Sequence, residues 1–287
     1  TVELSIANST WARKGVQFDP AFSAAVQQWF DAETRTLDFT LPGAKDTINA
    51  WVKNETRNRI PTIIDEIRDE IMFLINAIYF KGNWTTQFEK GRTRSAPFRL
   101  DNGNTVQVQM MSSDRVKMRV GFGENSVQIA ELPYGGEAFN MIVVLPPPNT
   151  RLDDFVKTIT ASDWDTWMAA LHPVARGSVQ LPRFGLEYEE TLNASLKALG
   201  MVDLFDPARA DLSKLTPFGD TYMAFVKQKT FLKVDEEGTE AAAVTVGGAV
   251  PTSAPPGIVV DRPFVMAIRE RLSGTLLFLG AIGHPEE

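Results

Sequence analysis

Apolar and polar positions alternate between two periods along the chain. Leu4 to Asn8 with Thr10 and Trp11 reads as a short strand. Pro20 opens a helix with Phe22, Ala25, Val26, Trp29 and Phe30 at helical spacing, and these aromatics are expected in the core. Thr36 to Phe39 is extended. Ala44 to Thr56 is helical with Ile48, Trp51 and Val52 on one face, and Asn58 to Pro61 ends it. Met72 to Phe80 is almost continuously apolar, the pattern of a strand covered on both faces, with Asn76 a polar exception that needs partners. Lys81 to Trp84 reads as a turn. Pro97 to Leu145 is β throughout, with turns at Asp101–Asn104, Gly121–Asn125 and Gly135–Gly136; Gly121-x-Gly123 opens no helix and is a hairpin turn rather than a phosphate loop. Leu152 to Leu171 supplies two short helices. Val179 to Tyr188 is extended, Thr191 to Gly200 is a helix ended by glycine, and Tyr222 to Val234 is a long strand. Phe264–Arg269 and Gly274–Ile282 pair at the end.

Composition narrows the function. A length of 287 residues, 44% hydrophobic, with no internal repeat or Pro-rich linker, reads as one domain over 1–287. The net charge of −7 argues against a nucleic-acid surface, and no apolar run reaches membrane-span length. The absence of cysteine removes disulfides, thiol nucleophiles and thiolate metal sites. Nothing calls for a metal or cofactor. His172 and His284 each stand beside a proline, and no Ser/His/Asp arrangement can be built on them.

The segment from Val234 to Phe264 changes character four times. A strand end gives way to the acids Asp235-Glu236-Glu237, then to small residues from Gly238 to Ala249, then to Pro251, Pro255 and Pro256, and then to another extended run. In an extended chain Thr239, Ala241, Ala243, Thr245 and Gly247 share one face, and all are small. That face could enter a packed interior without overfilling it; Val244 and Val246 fall on the other. The same stretch is also compatible with a solvated Ala/Gly linker.

EEGTEAAA, a Pro-containing loop and DRPF together resemble the reactive-centre loop of a serpin. LINAIYFKGNW, ELPYGGEAFNMIVVLPPP, MVDLFDPARADLSKLT and the final strand pair resemble serpin segments in the same order. The resemblance implies an α+β serpin fold: a large central mixed sheet with helices packed on it, further sheets, and an exposed reactive-centre loop at about 237–257. It also implies several helices ahead of Thr1, and a chain lacking them is expected to expose an apolar sheet face and to be unstable alone.

The function implied is that of a protease inhibitor and not an enzyme. A serine protease cleaves the loop, forms an acyl-enzyme, and is distorted when the loop inserts as a strand into the central sheet. The native fold is then metastable. Loop spacing puts the reactive bond between Thr252 and Ser253, with Ala249, Val250 and Pro251 as bait. A small residue after proline suits an elastase-like pocket; chymotrypsin- and subtilisin-like targets stay open. The hinge covers Glu236, Glu237, Gly238, Thr239, Glu240, Ala241, Ala242 and Ala243. The gate comprises Asn76, Trp84, Arg183 and Gln228: Arg183 paired with Glu236, and Gln228 bonded to Asn76 where a histidine is usual. The expected partner is a serine protease held covalently, with no nucleic acid or membrane. The chain is expected to be a monomer able to polymerise by loop–sheet insertion. The compartment stays open between secreted, which the resemblance favours, and cytoplasmic. A non-inhibitory serpin is the alternative, disfavoured because nothing bulky or charged occupies the small-residue face. A hydrolase using Asp235, Glu236 and Glu237 is more remote.

Overall fold

The computed structural model describes residues 2–219, 221–223, 225–239 and 256–286. They divide into two compact units, one built mainly from residues 80–185 and 233–287, the other from 4–79 and 186–232.

The second unit carries a six-stranded sheet whose path runs β2 (Glu33–Leu37), β1 (Val2–Arg13), β3 (Met72–Asn83), β10 (Lys227–Val234), β9 (Phe184–Thr191); a further short strand, β11 (Gly238–Thr239), pairs with β3. β1 is parallel to β2, and β3 to β10. The pairing of β3 with β10 places Ile75 to Ile78 opposite Lys227 to Thr230. The last four residues of β3 and last two of β10 belong with the first unit.

Helix α1 (Pro20–Phe30) starts where expected because Asp19 caps the Ala21 and Phe22 amides and Pro20 lacks an amide to satisfy. Its apolar stripe is not core: Trp29 is 73% and Phe30 65% exposed. The spacing identified the face correctly, but among the described residues nothing covers it. Helix α2 (Ala44–Glu55) buries Ile48, Trp51 and Val52 with Trp11, Phe73, Ile75 and Ala77, as the periodicity predicts.

Strand β3 corrects the sequence reading in two respects. Its burial alternates, so one face (Phe73, Ile75, Ala77, Tyr79) is covered and the other (Leu74, Asn76, Ile78) is half-buried. Lys81 to Asn83 continue the strand instead of turning. Strand β10 begins at Lys227, five residues later than expected.

The first unit is built on an eight-stranded sheet ordered β12 (Gly257–Val259), β8 (His172–Pro182), β5 (Thr105–Phe122), β6 (Gln128–Tyr134), β7 (Phe139–Leu145), β13 (Phe264–Glu270), β14 (Leu276–Ile282), with β4 (Arg94–Arg99) on β5. Helices α3 (Leu152–Thr158) and α4 (Ala161–Ala170) cover one face through Leu152, Phe155 and Trp167 against Ile129, Ile142, Val144 and Val265. Thr160 and Asp163 close a capping box at the start of α4. The continuous extended run read over Val179–Tyr188 is two strands. β8 ends at Pro182, β9 starts at Phe184, and Arg183 alone separates them. Helix α5 (Asn193–Ala198) ends before Gly200, whose φ of 100° needs no Cβ.

Candidate functional site

The hinge segment starts at the end of β10. Asp235 to Gly238 forms a tight reversal: the Asp235 amide donates to the Gly238 carbonyl at 2.9 Å, and the Gly238 amide donates back at 3.2 Å. The chain then runs antiparallel to β3, with Gly238 opposite Asn83 and Thr239 opposite Gly82. Only glycine fits here. The φ of Gly238 is 138°, and a Cβ would lie 2.0 Å from the Gly82 carbonyl oxygen and 2.6 Å from the Asn83 Cα.

Backbone and side chains both pin this reversal. The Trp84 amide donates to the Glu237 carbonyl at 2.9 Å, and the Phe88 amide to the Glu236 carbonyl at 2.9 Å. The Trp84 indole Nε1 donates to the Asp235 carbonyl at 2.9 Å, and its ring stacks on Tyr134 with centroids 4.5 Å apart. The Glu236 side chain is buried. Its Oε1 accepts from Arg183 Nε at 2.9 Å, from Arg183 Nη2, and from the Thr93 hydroxyl. Arg183 can reach it because the single-residue step between β8 and β9 fixes its backbone, with its amide donating to the Gln109 carbonyl. Glu237 is also buried and pairs with Lys90 through Oε1, while its Oε2 has no partner among the described residues.

Electrostatics follow from these contacts. Burial on its own pushes the Glu236 carboxyl up. The hydrogen bonds from Arg183 and Thr93 outweigh it, so the carboxyl lies below its ordinary range. The Glu237 carboxylate beside Lys90 holds that ammonium above its usual value. Asp235 goes the other way. Burial raises it, the neighbouring Glu237 and Glu236 charges add to the rise, and the bond from the Glu237 amide opposes it. The segment thus holds two carboxylates that favour charge pairing next to one that resists ionisation.

The remaining gate residues lie in the second unit. Gln228 is opposite Asn76 in the parallel register, so their side chains share a sheet face. The expected bond between them is not made. Asn76 Nδ2 donates to Asn8 Oδ1 on β1 at 2.8 Å, and Asn8 Nδ2 in turn donates to the Phe30 carbonyl at 3.0 Å. The Asn76 amide is turned toward its other neighbouring strand, so its binding partner is Asn8.

The structure therefore brings Trp84, Arg183, Glu236, Glu237 and Gly238 together and adds Lys90 and Thr93. Glu240, Ala241, Ala242, Ala243, Ala249, Val250, Pro251, Thr252 and Ser253 lie outside the described residues. Past the loop, Gly257–Val259 pairs with β8, and the Arg262 guanidinium donates to the Pro146 carbonyl at 2.8 Å and 3.2 Å. Among the described residues no group of acids and histidines could hold a metal ion.

A family model described as Serpin (serine protease inhibitor) matches residues 1–285. Glia-derived nexin of Rattus norvegicus is 34% identical over 98% of this chain and 73% of its own length. Leukocyte elastase inhibitor of Homo sapiens is 36% identical over 98% of this chain and 78% of its length. Among solved structures, thyroxine-binding globulin complexed with thyroxine superposes with a TM-score of 0.88 at 27% identity, covering 100% of this chain and 77% of that one.

Proposed function

Because the chain belongs to the serpin family, we propose that it inhibits a serine protease as a suicide substrate, by cleavage at Thr252–Ser253 and insertion of the loop between β3 and β10. The observation that carries this reading is the pairing at the hinge. β3 and β10 are parallel neighbours, and Gly238–Thr239 already runs antiparallel to β3. A strand continuing from Thr239 would be antiparallel to both, so a ladder could form on each of its edges. Thr239 to Thr252 is fourteen residues, which extended span roughly 45–50 Å. That length displaces an acylated protease by about the diameter of a small domain.

The pinned reversal supplies the fixed end. Glu236 and Glu237 hold the loop's root while its far end is carried away, so insertion propagates from Gly238 outward. The bait Ala249-Val250-Pro251-Thr252 favours an elastase-like target with a shallow pocket, with chymotrypsin- and subtilisin-like enzymes as alternatives. Similarity to the name leukocyte elastase inhibitor points the same way. We place the gate at Asn76, Trp84, Arg183 and Gln228, with the hinge beginning at Glu236. The partner is a protease held as an acyl-enzyme, and the free inhibitor is a monomer.

Similarity to thyroxine-binding globulin favours a second reading, a carrier that traps no protease. Incubation with elastase, chymotrypsin, subtilisin and trypsin separates the two. The inhibitor reading expects a complex with one of the first three that survives boiling in detergent. Cleavage at Thr252 with every protease released active would support the carrier reading.

A further inference from the structure

Between α2 and β3, residues 56–71 cross one face of the six-stranded sheet. Asn49, buried on α2, fixes this connector with three hydrogen bonds. Its Oδ1 accepts from the Ile63 amide at 2.9 Å and the Ile64 amide at 3.0 Å, and its Nδ2 donates to the Ile64 carbonyl at 2.9 Å. Thr56 adds a fourth bond, its hydroxyl accepting from the Ile60 amide at 3.0 Å. Ile60, Ile63 and Ile64 are then buried in the same cluster as Phe73, Ile75 and Ala77 of β3, with Phe231 of β10 packed against it. Helix and connector thus behave as one body.

That body touches both sides of the seam. Arg57 lies over the Tyr79 ring of β3 with its guanidinium 5.9 Å from the centroid, and Arg59 lies over the Phe231 ring of β10 at 5.6 Å. Tyr79 and Phe231 are the positions that follow Ile78 and Thr230 in the paired register. Lower down, Asp65 Oδ2 is 3.0 Å from the Lys227 ammonium of β10, which also pairs with Glu189 of β9. Admitting a strand would move β10 away from β3 by one further interstrand spacing, about 4.8 Å. The contacts at 3.0 Å and 5.6 Å on β10 and those on β3 cannot all survive such a shift.

We infer that the connector 56–71 is a strap stapling the β3–β10 seam, clasped to α2 by Asn49, and that its release limits how readily the sheet admits a strand. This rests on the inhibitor reading only for its role, since the strap itself is a property of the closed sheet. Asn49 is a positioning residue: it touches neither loop nor protease.

Amide hydrogen exchange tests it directly. Two variants are compared with wild type: Asn49→Ala, which opens the clasp, and Arg59→Ala/Asp65→Ala, which frees only the β10 side and touches no core residue. The amides of Lys227–Thr230 report the seam, and those of Met141–Val144 in the eight-stranded sheet serve as control. Losing three buried hydrogen bonds should raise seam exchange about tenfold or more in Asn49→Ala, and the exposed contacts about two- to threefold in the double variant, with the control amides unchanged. Unchanged seam exchange in the double variant, or an equal rise at the control amides, overturns the strap; the double variant decides the matter if Asn49→Ala does not fold. A synthetic peptide with the sequence of Thr239–Thr252 forms the second arm. Faster annealing to the variants supports both the strap and the inserting sheet. Seam exchange that rises while no peptide enters keeps the strap and counts against the inhibitor reading. Stable wild-type protease complexes with no change of seam exchange in the variants overturn the strap alone.

Discussion

Replacing Gly238 by alanine should unseat the hinge without unfolding the protein. The residue sits at φ 138°, a region that costs a residue with a Cβ about 1–3 kcal/mol. The added methyl would lie 2.0 Å from the Gly82 oxygen and 2.6 Å from the Asn83 Cα, both backbone atoms of a paired strand. Overpacking of this kind adds about 1–3 kcal/mol. Against that strain stands the pairing of two residues, Gly238 and Thr239, with β3, each net hydrogen bond contributing about 1 kcal/mol. The strain wins, and β11 should leave β3. Exchange of the Trp84 amide, which donates to the Glu237 carbonyl next to the clash, should then accelerate. The Phe88 amide should stay protected, because Glu236 remains anchored by Arg183 and Thr93. Insertion must restart from a displaced hinge, so more inhibitor is cleaved per protease trapped. If Gly238→Ala keeps the Trp84 amide protected and the stoichiometry of wild type, the close approach is not what seats the loop.

Thr252→Arg should shift inhibition from elastase-like to trypsin-like enzymes, read as inhibition rates against both; trypsin already being the best target of wild type would show the bond is misplaced. Gln228→Ala should barely change the rate of conversion to polymer on mild heating, whereas Asn8→Ala, which strips partners from both Asn76 and the Phe30 carbonyl, should cost about 1–3 kcal/mol and speed it; the reverse order would restore Gln228 as the partner. Asp235→Asn keeps the acceptor for the Glu237 amide and removes a charge that burial disfavours. A raised folded pKa means that Asp235 favours the folded state at low pH and that this advantage is lost as pH rises through the folded value. The variant should therefore be more stable than wild type at neutral pH, with the difference shrinking below about pH 4 as the unfolded carboxyl also protonates; a pH-independent difference in unfolding midpoint would contradict this.

Legibility tracked how local each signal was. The hinge acids, Gly238 and the small-residue face are contiguous, and the loop could be read from them alone. Helix starts at Asp19-Pro20 and Thr160 were visible because a cap and the amide it satisfies are close in sequence. The other half of the hinge site was not. Thr93 meets Glu236 across 143 residues and Trp84 meets Asp235 across 151, with no periodicity linking them. Lys90 looks like any surface lysine until Glu237 is buried beside it. Asn49 could have been noticed as a polar residue next to Ile48 on a buried helix face, but its partners are backbone groups of a connector with no repeating pattern. Asn76 was rightly singled out as needing a partner. The resemblance pointed to the strand on one side, and the structure puts the partner on the other. Trp29 and Phe30 were placed in the core because amphipathicity reports which face seeks cover, not whether cover is present.

The central claim is that the loop enters the sheet, and the most direct measurement is the thermal unfolding midpoint before and after a single cut at Thr252–Ser253. Thr239→Arg serves as control, since burying an unpaired cation on the inserting face costs several kcal/mol even after relaxation. Cleaved wild type should unfold tens of degrees above the intact chain, with β3 and β10 no longer paired with each other, and the cleaved control should rise far less. Equal midpoints for intact and cleaved wild type would contradict strand insertion, and with it the trapping mechanism.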